Sequence, residues 1–204
     1  PKTKVCCIVL DLPEYFGDQT SLLYKLWGQR SSRKVYSLVP DIDMFVLLTK
    51  DMAERLKVGN RPWMLMEGIY NPINVEQKLK MSKTILYTGK LDARFGIREL
   101  IEAFHLIEDP DFSLWICGDG SERPYVERKS LKDKRIKYKG LLKQQEVFEL
   151  QRSASLLINP RKGNEEYTKY SFPSKTMEYM ASGTPTIMYP LPGMPADYVP
   201  YLII

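Results

Sequence analysis

From residue 84 onward the chain alternates short apolar runs with amphipathic ones. Residues 84–88, 113–117, 136–138, 155–159 and 186–189 have strand length, and residues 97–107, 121–130, 144–153 and 174–181 have helical spacing between them. Apolar strands alternating with amphipathic helices predict a parallel sheet covered on both faces. Ligands of such sheets bind beyond the carboxyl ends of the strands. The loops that leave those ends are therefore where chemistry is expected.

Upstream the pattern is less regular. Strands are predicted over 5–10, 44–48 and 64–67. Helices are predicted over 21–30, with Leu22, Leu23, Leu26 and Trp27 on one side, and over 51–56, opened by Thr49. Gly68-Ile-Tyr-Asn-Pro72 breaks the pattern, and 74–82 reads as a polar linker. There is no internal repeat and no low-complexity segment.

Composition narrows the class. The chain has 204 residues, 44% hydrophobic, enough for one full core or one domain plus part of another. No run of about 18 apolar residues suggests a membrane span, and residues 2–10 lack the apolar core of a signal peptide. The abrupt ends at Pro1 and Ile204 suggest a piece of a longer protein. Cys6, Cys7 and Cys117 fall in predicted strands and read as buried thiols of a cytosolic protein, with no zinc-like pattern. The net charge of +5 suits phosphates or an anionic membrane face. Nucleic acid is disfavoured, because acidic residues are interleaved with the basic ones.

The most telling stretch is Phe172-Pro-Ser-Lys-Thr-Met-Glu-Tyr-Met-Ala-Ser-Gly-Thr-Pro185, read as loop, helix and return toward a strand. Pro173 and Ser174 suit a helix start, Met177, Met180 and Ala181 supply an apolar face, and Gly183 a left-handed end. A helix start presents free N–H groups and a positive dipole end, which suits phosphate. Lys175 adds a cation there, and Glu178, one turn in, can accept hydrogen bonds from sugar hydroxyls.

Three other loops stand out. Thr88-Gly-Lys-Leu-Asp-Ala-Arg-Phe-Gly96 offers Gly89 and Gly96 for close backbone approach and Lys90 and Arg94 as cations; alone it is equally a solvated turn. Cys117-Gly-Asp-Gly-Ser121 is either a nucleotide loop, with Ser121 capping the next helix, or a tight strand–helix turn. Asn159-Pro-Arg161 begins a loop longer than a simple connection needs, carrying Arg161, Lys162, Glu165, Glu166 and Lys169. His105 is the only histidine and reads as a packing or helix-surface residue. No Ser/His/Asp triad can be drawn around it.

Together these loops resemble the retaining glycosyltransferases of family four, with the GT-B fold, and in particular capsular and exopolysaccharide sugar transferases. The matching stretches are Tyr87-Thr-Gly-Lys-Leu-Asp-Ala-Arg-Phe-Gly-Ile97, Leu114-Trp-Ile-Cys-Gly-Asp-Gly120, Asn159-Pro-Arg161 and the stretch from Phe172 to Pro185. The resemblance implies an α/β protein in three parts. These are residues 1–67 as the end of an amino-terminal acceptor-side domain, 68–83 as a hinge, and 84–204 as a Rossmann-like nucleotide-sugar domain.

It also implies roles. Gly89, Lys90, Arg94, Arg161, Ser174, Lys175 and Thr176 would hold the donor diphosphate, and Glu178 the ribose. Gly118, Gly140 and Leu141 would border the base. The family commonly carries two glutamates with seven residues between them; the second matches Glu178, but the first falls on Tyr170. Its role passes to Glu166 or is absent. Asp11 sits where many relatives place an acid near the reaction centre. The lysine usual before the second glycine of the first loop is Phe95 here.

The implied reaction moves a sugar from a nucleotide diphosphate, UDP-linked by resemblance, to a glycan or lipid-linked acceptor. No metal and no bound cofactor are expected. The implied location is cytoplasmic, with a possible peripheral contact with anionic membrane. Two alternatives stay open: a sugar-nucleotide epimerase of the same fold, and a donor-binding fragment or subunit without activity of its own.

Overall fold

The computed structural model describes residues 3–15, 22–70 and 79–204, with backbone alone for 22–29. Residues 71–78, which hold most of the predicted linker, and the side chains of Leu22, Leu23, Leu26 and Trp27 lie outside that description. The chain divides into two compact units. The first comprises Pro1–Ile69, Asn164–Phe172 and Leu191–Met194, and the second Tyr70–Gly163, Pro173–Pro190 and Pro195–Ile204.

The first unit holds a parallel sheet in the order β1-β2-β3, formed by β1 (Cys6–Val9), β2 (Met44–Leu47) and β3 (Trp63–Leu65). Helices α1 (Leu22–Leu38) and α2 (Asp51–Arg55) connect them. Sequential strands joined by right-handed crossovers place both helices on one face. Tyr36 of α1 and Met52 of α2 accordingly pack with Phe45, Leu47, Cys7 and Val9.

The other face, with Ile8 and Met64, is exposed. Cys6 on that face is exposed too, so the expectation of three buried thiols holds only for Cys117, with Cys7 half-buried. Thr49 does not open α2. Lys50 occupies the cap position, and among the described residues the buried Thr49 Oγ1 finds no hydrogen-bond partner. The first helix also runs eight residues past the predicted end at Arg30.

The second unit is a five-stranded parallel sheet in the order β6-β5-β4-β7-β8. Its strands are β4 (Thr84–Thr88), β5 (Ser113–Cys117), β6 (Ile136–Gly140), β7 (Leu156–Asn159) and β8 (Thr186–Met188). Alternate residues of β4 build two cores. Ile85 and Tyr87 pack with α3 (Ile97–His105) and α4 (Arg123–Lys132). Leu86 joins Leu150 of α5 (Gln144–Ser153) and Tyr179 of α6 (Ser174–Ala181) on the opposite face. All five residues of β4 are buried, as expected for the central strand of a doubly covered sheet. After β4 the chain turns toward β5; after β7 it turns the other way, toward β8. The carboxyl ends of β4 and β7 therefore flank the point where such sheets open a crevice.

Candidate functional site

The loops beyond β4, β5 and β6 interlock through backbone. Gly89 N–H donates to Cys117 O at 3.0 Å, Leu91 N–H to Asp119 O at 2.9 Å, and Gly118 N–H to Gly140 O at 2.9 Å. Glycine is required where the loops touch. A Cβ on Gly118 (φ +142°) would lie 1.8 Å from Gly89 O, and one on Gly96 (φ +77°) 2.3 Å from Pro160 O. Gly140 also has positive φ (+69°), but open space surrounds it, and Leu141 beside it is exposed. Gly118 and Gly96 therefore serve first to let neighbouring loops meet.

The cations predicted from sequence are held in place. Lys90 Nζ pairs with Asp92 Oδ2 at 2.9 Å. Asp92 Oδ1 accepts from Ser121 N–H at 3.2 Å and from Ser121 Oγ at 3.0 Å. Burial pushes the Asp92 pKa up, but the hydrogen bonds from Lys90 and Ser121 outweigh it and leave the pKa lowered. Ser121 therefore serves Asp92 and does not cap α4, whose cap residue is Glu122. Phe95 gathers two arginines, with the guanidinium carbons of Arg94 and Arg161 at 5.0 and 5.8 Å from its ring centre. Arg161 is buried and Arg94 exposed.

Helix α6 begins after Pro173, the cap residue, and no side chain caps it. Ser174 is thus the first helical residue, exposed, and not a cap. Thr176 N–H is already used by Pro173 O at 2.8 Å, and Thr176 Oγ1 turns inward to Met188 Sδ at 3.7 Å. The amides of Ser174 and Lys175 are the ones left at the helix start. The face that α6 buries is Thr176 and Tyr179; Met177 and Met180 are half-buried, at the border of the core instead of filling it. Gly183 ends the helix at φ +70°, as predicted.

Glu178 lies on the partly open side of this helix, its side chain 20% exposed. Lys175 Nζ contacts Glu178 Oε2 at 2.7 Å. The same oxygen faces Gln151 Nε2 at 3.4 Å. Gln151, fully buried, also donates to Thr88 Oγ1 at 3.0 Å. Tyr179 OH accepts from Thr88 N–H at 2.9 Å and donates to Thr88 O at 3.1 Å. Glu178 is thereby tied to the end of β4, one residue before Gly89 and Lys90.

The sequence argument missed Asp92, Thr88, Gln151 and Tyr179. Gln151 carried a legible signal, a polar residue three positions after Phe148 on the face that α5 buries. Tyr179 carried none, because an aromatic at that spacing reads as core.

Asp11 and Glu166 belong to the first unit, and the remaining candidates to the second. Both are exposed, Asp11 beyond β1 and Glu166 opening the short turn Glu166–Tyr170. Tyr170, at the position of the family's first glutamate, stacks on Tyr15 with ring centres 5.9 Å apart. Burial, then the nearby Glu166 carboxylate, raises the pKa of both tyrosines. A cleft of about 420 Å³ in this unit is lined by Asp51, Glu54, Arg55, Lys169, Tyr170 and neighbours. His105 closes α3, 3.8 Å from Glu102 and 4.0 Å from Asp133, at the helix surface. Among the described residues no His, Cys, Asp and Glu side chains gather as a metal-like group, and no helix is long and apolar enough to cross a membrane.

Comparisons place this geometry. No curated protein sequence matches the chain. Solved structures share its fold at low identity. The pneumococcal O-GlcNAc transferase GtfA, in complex with UDP and GlcNAc, is 15% identical with a TM-score of 0.63, covering 93% of this chain and 38% of its own. S. aureus TarM, in complex with fondaparinux, alpha-GlcNAc-glycerol and UDP, is 15% identical with a TM-score of 0.66, covering 98% and 40%. Anabaena HepE in complex with UDP is 14% identical with a TM-score of 0.62, covering 93% and 54%. The chain thus spans about two fifths to one half of these proteins. The architecture is that of GT-B glycosyltransferases, with parallel sheets and flanking helices. The family model described as "Glycosyl transferases group 1" matches residues 82–200, more than half of the sequence, and the chain belongs to that family.

Proposed function

We propose that the chain contains the donor-binding part of a retaining, family-four glycosyltransferase that uses a UDP-sugar in polysaccharide assembly. The observation that carries this reading is the Glu178 carboxylate. One oxygen is held by Lys175 and Gln151, and the other receives no protein donor among the described residues. An acid so held, beside the start of α6 and tied to the end of β4, suits a ribose hydroxyl next to a diphosphate. Lys90, Arg94, Arg161 and the Ser174 and Lys175 amides are the groups proposed to meet the phosphates. When the bond from anomeric carbon to phosphate breaks, charge builds on the departing diphosphate. Fixed cations and amide dipoles then stabilise the transition state more than the ground state. UDP in the complexes of GtfA, TarM and HepE supports the choice of base.

Calorimetric titration of UDP tests the reading. Glu178→Gln exchanges charge-assisted hydrogen bonds of about 1.5–3 kcal/mol for neutral ones near 1 kcal/mol. It should weaken UDP about tenfold while leaving the unfolding midpoint close to that of the parent. Unchanged affinity removes the ribose role. Failure of UDP to bind the parent at all removes the function.

A further inference from the structure

Gln151 is the one fully buried amide side chain beside the candidate acid. Its Nε2 donates to Thr88 Oγ1 at 3.0 Å and faces Glu178 Oε2 at 3.4 Å, which uses both hydrogens. Its Oε1 is buried and has no hydrogen-bond partner. An orphaned buried acceptor costs about 1–3 kcal/mol, so stability alone favours methionine or leucine at this place. The amide cannot gain by flipping, because its oxygen would then face the carboxylate.

Thr88, the receiving group, is itself locked. Its N–H, hydroxyl and carbonyl all meet the Tyr179 hydroxyl, at 2.9, 3.2 and 3.1 Å. Tyr179 and Glu178 are neighbours on α6, so β4, α5 and α6 are joined through one buried polar cluster. Two donors, Lys175 and Gln151, converge on Oε2 and leave Oε1 as the acceptor turned to a ligand.

We propose that Gln151 is a positioning residue that sets the Glu178 carboxylate for a ribose hydroxyl, at the expense of its own unsatisfied oxygen. This rests on the donor-site reading of Glu178. The lysine in the pair is 39% exposed and free to leave for a phosphate. The amide, with no exposure, stays.

The test compares UDP with 2′,3′-dideoxy-UDP on the full chain by calorimetry. Gln151→Met keeps the volume and removes both donors. It should weaken UDP by about fivefold to tenfold, as for loss of one hydrogen bond to a charged group, and leave the dideoxy compound within about twofold. Equal losses for both ligands, or none, overturn the proposal. Glu178→Gln is measured alongside. If that variant discriminates the two ligands and Gln151→Met does not, the acid binds ribose but Gln151 does not set it. If Glu178→Gln fails to discriminate, the donor reading itself fails. Should Gln151→Met not fold, Gln151→Asn, which withdraws the amide by one methylene, is measured for the same ratio, with the same two outcomes.

Discussion

Gly118→Ala and Gly140→Ala form a matched pair that tests whether the loops beyond the sheet owe their conformation to one another. Both glycines have positive φ, +142° and +69°. For Gly140 an added methyl meets nothing within 4 Å, so the cost is backbone strain alone, about 1–2 kcal/mol. For Gly118 the methyl lands 1.8 Å from Gly89 O, a backbone atom that cannot swing aside as a side chain would. The two loops must separate, and the Gly89–Cys117 and Gly118–Gly140 hydrogen bonds are at risk with them. Strain of about 1–3 kcal/mol and overpacking of about 1–3 kcal/mol then combine to roughly 3–5 kcal/mol. Urea unfolding of the two variants should therefore differ by about 2–3 kcal/mol, Gly118→Ala being the weaker. Loss of equal size, within about 0.5 kcal/mol, would refute the packing argument and return Gly118 to the role of a ligand-facing glycine.

Three further outcomes follow from the same region. Lys90→Ala breaks an exposed pair with Asp92 worth at most about 1 kcal/mol, so stability should hardly change, while UDP binding falls more than uridine binding; equal falls would remove Lys90 from the phosphate site. Asp92 has a lowered carboxyl pKa, so its stabilisation is present above the unfolded-state pKa and lost as pH falls through the folded one; unfolding midpoints measured from neutral to strongly acid pH should show a shallower acid loss in Asp92→Asn, and identical profiles would contradict the assignment. Tyr179→Phe leaves the buried Thr88 N–H without its acceptor, which should cost about 1–3 kcal/mol in unfolding free energy; a variant as stable as the parent would show that water or a shifted strand replaces the hydroxyl.

Much of the second unit is legible from local pattern. β4, β5, α5 and α6 fall on their predicted residues, because each is a short apolar or amphipathic run bounded by Gly, Pro or a charged turn. The first unit is less so. Residues 31–38 continue α1, yet Ser31, Ser32 and Arg33 carry little apolar periodicity, and contact with the sheet decides the helix. The bare face of β1 and β3 was also hidden, since Ile8 and Met64 look like core residues until strand order puts both helices on the other side.

The candidate site divides the same way. Residue type and spacing alone determined a parallel α/β sheet, the loops that leave its strand ends, and Lys175 and Glu178 on adjacent turns of one helix. Tertiary structure alone decided what holds them. Gln151 and Glu178 are 27 positions apart, and Thr88 and Tyr179 are 91 apart. Local sequence carries no trace of such pairings, because they exist only once three elements pack around the end of one strand. It also decided that Gly118 and Gly96 serve loop contact, since a glycine's reason lies in the atom opposite it.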